Sequence, residues 1–231
     1  IIISAPIYLI RPIASLLVLS DRIGPWHDVA ALEARGLRRS DSPIDQRVFK
    51  QRCAGFISVG GAVRPQYASM GLTLMNDMTY PMHIKVVDQI MVLNSNTATQ
   101  ALMHEQEVQR VHQLGKNVCE NACKPEEEMS WCGDFDGTCP VCHGNLFTVD
   151  NGDETATCAI CGIKGTVSVA NGKIHIDFAK DELIHSRLTK EECAYHSREI
   201  MESFQAFAPA ASKAKEKAEK YRTYNVEVIK P

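Results

Sequence analysis

The sequence lacks any apolar run of the roughly 18–20 residues that a membrane-spanning helix needs. Its 23% of charged residues is close to the average of soluble proteins, which excludes wholesale disorder, and it has no long internal repeat. With 231 residues, 45% of them hydrophobic, the chain can bury a core and form one or two domains. We therefore expect a globular protein with no membrane partner.

A strongly basic region is also absent. The first 115 residues carry 11 basic and 9 acidic side chains, whereas the other 116 carry 14 basic and 19 acidic ones. Within residues 119–161, nine acidic residues accompany a single basic one, Lys124. Proteins that bind nucleic acids normally present a basic face, so we expect no nucleic-acid partner.

The nine cysteines are an odd number, and four of them form two CxxC pairs. Fifteen residues separate Cys139-Pro-Val-Cys142 from Cys158-Ala-Ile-Cys161, a spacing typical of zinc ribbons. A CxxC turn directs both sulfur atoms at one point, and two such turns complete a tetrahedron. The spacing predicts one four-thiolate metal site, made by Cys139, Cys142, Cys158 and Cys161, in a reducing, cytoplasmic compartment.

The metal itself is less well defined, because four thiolates hold either zinc or a single iron. A rubredoxin-like iron site favours glycine after both pairs, whereas His143 follows the first pair and Gly162 the second. We therefore favour zinc, with a structural role, and keep iron as the alternative, which would mean electron transfer. Cys119, Cys123 and Cys132 match no cluster spacing, and their role stays open.

The N-terminal half alternates strand and helix patterns, which is typical of βαβ units and a parallel sheet. Predicted strands cover residues 1–4, 53–59 and 84–93, and predicted helices cover 12–23, 67–78 and 97–114. Residues 27–46 form a polar excursion between the first helix and the second strand.

The composition changes after Gly115. Residues 119–136 are acidic and irregular, and the pairs Asn151-Gly152 and Asn171-Gly172 favour tight hairpin turns around the metal site. Helices follow at 189–207 and 210–221. The predicted domains are therefore residues 1–117, an acidic segment and ribbon at 118–180, and a helical tail at 181–231.

Three motifs appear in order along the first 115 residues: Ile1-Ile-Ile-Ser-Ala-Pro-Ile-Tyr8, Ser20-Asp21-Arg22 and Ile57-Ser-Val-Gly-Gly61. Together they resemble the flavodoxin-like NAD(P)H-dependent FMN reductase family. That family has a strand ending in a Ser/Ala-Pro-x-Tyr loop, a helix closing with Asp-Arg, and a next strand ending in Gly-Gly. The ribbon is similar to one at the C-terminus of some flavodoxin-family reductases.

The resemblance implies part of a flavodoxin-like doubly wound parallel sheet, joined to a small four-cysteine metal ribbon and C-terminal helices. It implies FMN as cofactor, NADH or NADPH as co-substrate, an electron acceptor that the sequence does not identify, and a homo-oligomer. The flavin supplies the chemistry, so no side chain is assigned a catalytic role.

The resemblance also locates the flavin in two loops at the carboxyl edge of the sheet, where doubly wound folds bind ligands. Pro6 would stiffen its loop, Tyr8 could lie against the ring, and glycine would let the backbone approach it closely. The expected flavin-binding residues are Pro6, Ile7, Tyr8, Leu9, Gly60, Gly61 and Ala62.

The family's first strand and phosphate-binding loop have no counterpart in this sequence. We therefore expect that upstream residues are missing from it or are supplied by another chain, and that residues 1–4 form an interior strand of the complete sheet. One alternative is a metal-ribbon interaction module on a scaffold that has lost its cofactor. Another is an electron-transfer subunit with rubredoxin-like iron beside FMN.

Overall fold

The computed structural model describes residues 1–24, 27–134, 139–149 and 152–222. The chain forms two compact units, Ile1–Cys193 and Ala194–Pro231. No helix among the described residues is long and apolar enough to cross a membrane.

The first unit begins with a four-stranded sheet of order β2-β1-β3-β4. Strands β1, β3 and β4 are parallel, as predicted, and β2 turns back antiparallel against the end of β1. The central strand β3 is buried on both faces, which explains its continuous apolar sequence. The strand bounds are β1 (Ile2–Tyr8), β2 (Arg11–Pro12), β3 (Arg52–Val59) and β4 (Ile84–Val92).

Helices cover both faces of this sheet. Because side chains alternate along a strand, Phe56 of β3 packs with Leu72 and Met75 on one face, while Ile57 packs with Leu114 on the other. The helices are α1 (Ala14–Ile23), α2 (Val29–Ala34), α3 (Gly71–Asn76), α4 (Thr79–Met82), α5 (Ala98–Ala101) and α6 (Glu105–Ala122). The structure is thus a mixed α/β fold.

Helix α6 approaches the sheet closely at Gly55. A β-carbon on Gly55 would lie 2.7 Å from both Leu114 and Val118, so a larger residue would push the helix away. Those two side chains are buried, and their burial offsets the cost of about 1 kcal/mol of placing Gly115 inside the helix. The prediction that the helix ends near Gly115 is therefore wrong.

A buried ion pair also ties α6 to the sheet. The carboxylate of Asp88 in β4 is fully buried. It accepts hydrogen bonds from Arg110 Nη1 at 2.9 Å and from Asn117 Nδ2 at 2.7 Å. Arg110 also contacts the exposed Asp134. The hydrogen bond that Arg110 donates to Asp88 is the main cause that raises the pKa of this arginine.

Two further sequence predictions need correction. The helix predicted over 67–78 is a 3-10 turn at Pro65–Ala68 followed by α3, with α4 as a separate turn. Strand β1 does not end at Ser4 but runs through Pro6 to Tyr8. Proline is tolerated there because β1 has β3 on one side, and no described strand pairs with its other edge between Ile2 and Pro6.

The ribbon is a second, antiparallel sheet of order β5-β6-β7-β8. Asn171 (φ 54°) and Gly172 (φ 73°) form the turn between β7 and β8, which confirms the predicted hairpin. Of the other predicted turn, Asn151 lies outside the described residues. The strands are β5 (Phe147–Val149), β6 (Thr155–Cys158), β7 (Lys164–Ala170) and β8 (Lys173–Asp177).

Two helices follow the ribbon, as predicted: α7 (Lys190–Phe207) and α8 (Ala211–Arg222). A 3-10 turn at Ala208–Ala210 joins them. Helix α7 begins in the first unit, and everything after Cys193 belongs to the second.

Candidate metal centre and ligand cleft

The two CxxC turns of the ribbon have the same backbone geometry. In the first, the N–H of His143 donates to Cys139 O at 2.9 Å; in the second, Gly162 donates to Cys158 O at 3.0 Å. His143 (φ 57°) and Gly162 (φ 81°) both adopt the left-handed conformation that this turn requires. The sequence difference after the two pairs therefore leaves their backbone geometry unchanged.

These turns bring the four cysteine sulfur atoms within 4.8 Å of one another, and all four residues are buried. The Sγ atoms of Cys139 and Cys161 are 3.3 Å apart, and those of Cys142 and Cys158 are 3.4 Å apart. A tetrahedral zinc site with bonds of about 2.3 Å has sulfur–sulfur edges of about 3.8 Å. The cluster could therefore hold one metal ion.

Hydrogen bonding within the cluster divides the four thiols into two pairs. It lowers the pKa of Cys139 and Cys158, chiefly through Cys142 and Cys139 respectively, and it raises the pKa of Cys142 and Cys161, chiefly through Cys139. The backbone N–H of Gly144 lies 3.4 Å from Cys142 Sγ and donates to it. Thiolates are the ligand form of cysteine, so a metal ion that binds here has to displace the protons that the cluster retains.

The first CxxC turn is anchored to the α/β sheet. Gln89 Nε2 of β4 donates to the carbonyl oxygen of His143 at 3.1 Å. The imidazole of His143 stacks on Trp131, with ring centroids 4.0 Å apart and an interplanar angle of 13°. His143 therefore serves both as a turn residue and as a packing surface.

A cavity of about 220 Å³ lies at this junction, with His83, Lys85, Trp131 and His143 among its lining residues. His83 Nε2 is buried and has no hydrogen-bond partner among the described residues. Burial is the main cause that lowers the pKa of His83, and the charge of Lys190 acts in the same direction.

A separate cleft of about 600 Å³ opens at the carboxyl edge of the parallel strands. Five of the seven expected flavin-binding residues line it. Its walls are the turn after β1 and the loop after β3, and the lining residues are Ile7, Leu9, Ile10, Gly60, Gly61, Ala62 and Tyr67.

Pro6 and Tyr8 do not line this cleft. Both are exposed, and Tyr8 retains 63% of its accessible surface. Because β1 continues to Tyr8, its side chains alternate and direct Pro6 and Tyr8 to the face opposite Ile7. Ile10 and Tyr67 are lining residues that the sequence analysis missed, and neither belongs to the motifs that carried it.

The turn that forms one wall of the cleft has an unusual backbone. Leu9 (φ 50°) and Ile10 (φ 65°) are consecutive residues with positive φ between the paired Tyr8 and Arg11. Tight hairpin turns of this kind normally use Asn or Gly, and each non-glycine residue there costs about 1–2 kcal/mol. Leu9 is nevertheless 85% exposed, so packing within the described residues gives little compensation. Strain of this kind is common at ligand sites.

The opposite wall offers free backbone donors. The N–H of Gly60 donates to Val92 O at 2.8 Å. Within the described part of the chain, the N–H groups of Gly61 and Ala62 have no hydrogen-bond acceptor. A β-carbon on Gly61 would collide with Asn96 Oδ1. A side chain at Gly61 would therefore be directed at Asn96, and Ala62 is the better position at which to probe the cleft.

The remaining cysteines lie outside the cluster. Cys119 is exposed on α6, Cys123 is exposed directly after its end, and Cys132 is half buried. Cys53 and Cys193 are buried as small core residues. Trp131 and Asp88, which connect the ribbon and α6 to the sheet, had no recognisable signal in the sequence, because their partners are distant along the chain.

Comparison with known proteins gives two likenesses, and no family model matches the chain. Flavone synthase cfoJ of Aspergillus candidus is 29% identical over 160 residues, which are 69% of this chain and 49% of the relative. The chain thus spans about half the length of that curated relative. A solved structure named flavone reductase has a TM-score of 0.81 and 25% identity, over 100% of this chain and 78% of that one.

Proposed function

We propose that this chain is part of an FMN-dependent oxidoreductase that uses NADH or NADPH and has a flavodoxin-like sheet. Its isoalloxazine ring would lie in the cleft between the Leu9-Ile10 turn and the Gly60–Ala62 loop. When bound, FMN would supply the two-electron chemistry.

The observation that best supports this proposal is the fit of the cleft to a flat aromatic ring. Its volume of about 600 Å³ is within the range of small-molecule sites. Ile7, Leu9 and Tyr67 provide apolar surface for the ring. The N–H groups of Gly61 and Ala62, which have no acceptor among the described residues, can donate to its polar edge. The lining residues are uncharged, so they fit the ring and not the phosphate of FMN.

The two relatives support a redox role, since one is named a reductase and the other a synthase. Both names contain a flavone. A flavone is therefore the first acceptor to test, and it is also a flat aromatic compound that could stack beside the flavin. We further propose a cytoplasmic homo-oligomer without nucleic-acid or membrane partners.

For the four-cysteine cluster we propose zinc in a structural role. Cys139, Cys142, Cys158 and Cys161 would complete its four-coordinate shell, which leaves no open position for substrate. The site is buried, and its role would be to fold the ribbon and present His143 to Trp131. Metal analysis and a visible spectrum distinguish colourless zinc from an iron–thiolate centre.

The test is FMN binding followed by quenching of flavin fluorescence, with wild type, Ala62→Trp and Val63→Trp. Ala62 lines the cleft, whereas its neighbour Val63 is exposed and outside it. A Trp at position 62 would fill ring space, and we expect FMN affinity to fall by about a hundredfold or more. Val63→Trp should bind FMN as wild type does, and thermal unfolding should show that both variants fold.

Turnover of NADH or NADPH with a flavone then tests the reaction. If the folded full-length protein that contains this chain binds no FMN, the proposal is contradicted. If FMN binds equally well to wild type and Ala62→Trp, the cofactor lies elsewhere and the assignment of this cleft is wrong.

A further inference from the structure

The second compact unit presents an apolar helical face that is exposed to solvent. Phe204 is 66%, Phe207 52% and Tyr221 68% exposed. Ile200 and Met201 of the same unit are exposed as well. Helices in proteins owe most of their stability to the packing of an apolar face against another surface. We therefore expect a partner to cover this face.

The apolar face follows a coiled-coil repeat. Small or apolar residues recur at alternating intervals of three and four, the 3.5-residue period of two-stranded coiled coils. We call this row the seam; it consists of Ser197, Ile200, Phe204, Phe207, Ala211, Ala214, Ala218 and Tyr221. It continues from α7 into α8 without a break in register.

Pro209 does not interrupt the helical path. It occupies one of the first positions of the 3-10 turn Ala208–Ala210, where its missing N–H costs little. Phe207 (φ −77°, ψ −26°) and Ala211 (φ −60°, ψ −40°) on either side keep right-handed helical dihedrals. The two helices can therefore act as two arms that meet at Pro209.

The side-chain sizes along the seam are asymmetric about Pro209. The arm before it carries Ile200, Phe204 and Phe207, whereas the arm after it carries Ala211, Ala214 and Ala218. If a second copy packs antiparallel with Pro209 at the two-fold axis, each large residue meets a small one. The layers are then Phe207 with Ala211, Phe204 with Ala214, and Ile200 with Ala218, each pair from different copies.

A parallel pair would pack poorly. It would put Phe204 against Phe204 at one end and alanine against alanine at the other, which leaves overpacked and empty layers.

The charge of the two arms also favours the antiparallel pair. The segment 195–208 has one basic and two acidic residues, whereas 211–222 has five basic and two acidic residues. Antiparallel pairing places each strongly basic arm beside a weakly acidic one, and parallel pairing places the basic arms together.

We propose that the seam is a dimerisation surface whose partner is the antiparallel seam of a second copy of this chain. The interface is isologous, because the same residues of both copies form it. The proposal depends on the second unit alone and is independent of the flavin and the metal.

The first experiment measures the mass of the whole chain by light scattering or sedimentation over a range of concentrations. Phe204→Glu puts a carboxylate in an apolar layer and should raise the dissociation constant about a hundredfold or more, so that the particle has half the wild-type mass. Ala206→Glu is the matched control: it lies two residues away, off the seam, and should leave the constant within about threefold of wild type.

A second experiment tests the orientation. Ala214→Phe creates a Phe–Phe layer in the antiparallel pair and should weaken it, as should Phe204→Ala, which leaves a void. Combining both changes restores one large and one small residue in the layer and should recover most of the affinity. In a parallel pair, Ala214→Phe would instead fill an empty layer and strengthen association.

A monomeric wild type at tens of micromolar would overturn the proposal, as would equal effects of Phe204→Glu and Ala206→Glu. Strengthening by Ala214→Phe would overturn the antiparallel arrangement. Circular dichroism on each variant measures helix content and shows whether association is lost because the helix is lost. If Phe204→Glu loses its helix, the test of the interface is whether Ala214→Phe and Phe204→Ala together recover the affinity that each loses alone.

Discussion

The ribbon and the cleft are two candidate sites built in opposite ways. The ribbon site uses four buried sulfur atoms from two turns that lie close together in the chain and repeat one backbone pattern. The cleft is open, apolar and assembled from a strained turn and a glycine loop about fifty residues apart in the chain. A site of the first kind is part of its own fold, whereas a site of the second kind depends on the sheet beneath it.

Their connection lies at the junction between sheet and ribbon. Gln89 of β4 holds the carbonyl oxygen of His143, and Trp131 stacks on its ring. Because the ribbon site is part of its own fold and the cleft depends on the sheet, we predict different effects of substitutions in the two regions. Loss of a cluster cysteine should unfold mainly the ribbon, whereas a destabilised α/β core should also disrupt the cleft. The following changes test this separation in order of decreasing effect.

The largest effect is expected for Cys158→Ser. It removes one of the four proposed metal ligands, and the binding free energy of structural zinc, about 10–16 kcal/mol in small domains, is largely folding energy. The variant should lose its metal, and the amide protons of β5 to β8 should lose exchange protection, while those of β3 keep it. Cys123→Ser is the control, since Cys123 is exposed and outside the cluster. Metal retained in full by Cys158→Ser would show that this cysteine is not a ligand.

Asp88→Ala acts on the α/β core. It leaves the half-buried Arg110 without its main partner and should destabilise the chain by about 3–5 kcal/mol. Asp134→Ala removes the exposed contact of the same arginine and should cost less than about 1 kcal/mol. Denaturant unfolding measures both, and the folded fraction of Asp88→Ala should keep its metal. Equal costs would mean that burial of Asp88 does not matter.

Leu9→Gly should separate stability from binding in the cleft. Glycine relieves strain of about 1–2 kcal/mol at positive φ but has an entropic cost of about 0.5–1 kcal/mol, so we expect stability to rise by up to about 1.5 kcal/mol. Loss of the apolar wall should weaken FMN binding about tenfold. Val63→Gly, next to the lining, should lower stability slightly and leave binding unchanged. A stabilised Leu9→Gly with unchanged affinity would place the ring away from this turn.

The smallest expected effect is the pH dependence contributed by His83. Burial and the charge of Lys190 lower the pKa of His83, opposed in part by Asp28 and Glu126. The unfolded chain, with an imidazole pKa of about 6.5, therefore binds a proton that the folded chain resists, and stability should fall as pH drops through that value.

His83→Asn removes this contribution while keeping a residue that tolerates the left-handed φ of 47°. Melting temperatures at pH 7.5 and 5.5 should therefore differ more for wild type than for the variant, with metal content measured in both. An equal difference would mean that His83 is already accessible to solvent protons.

The sequence was most informative where a local pattern sets the geometry. The two CxxC pairs predicted the convergence of the four sulfur atoms, and Asn171-Gly172 predicted its hairpin. The apolar runs predicted the three parallel strands, because a strand buried on both faces is continuously apolar. The helix end at Gly115 failed, since burial of Leu114 and Val118 outweighs the local cost of glycine.

The cleft shows the limit of such reasoning. Of the residues expected at the flavin, Ile7, Leu9, Gly60, Gly61 and Ala62 line one cleft, whereas Pro6 and Tyr8 lie on the other face of β1 because side chains alternate along a strand. No local pattern marks the positive φ of Ile10, because isoleucine disfavours it. That conformation depends on the antiparallel return of β2 against β1.

By itself, the sequence determined the four-cysteine cluster, the positions of β3 and β4 and the periodic seam of the second unit, because each depends on residues near one another in the chain. Tertiary structure decided which of the loop residues share a cleft, where α6 ends, and how Trp131 and Gln89 hold His143. These features depend on contacts between distant segments, whose burial and hydrogen bonding outweigh the local preferences that a sequence displays.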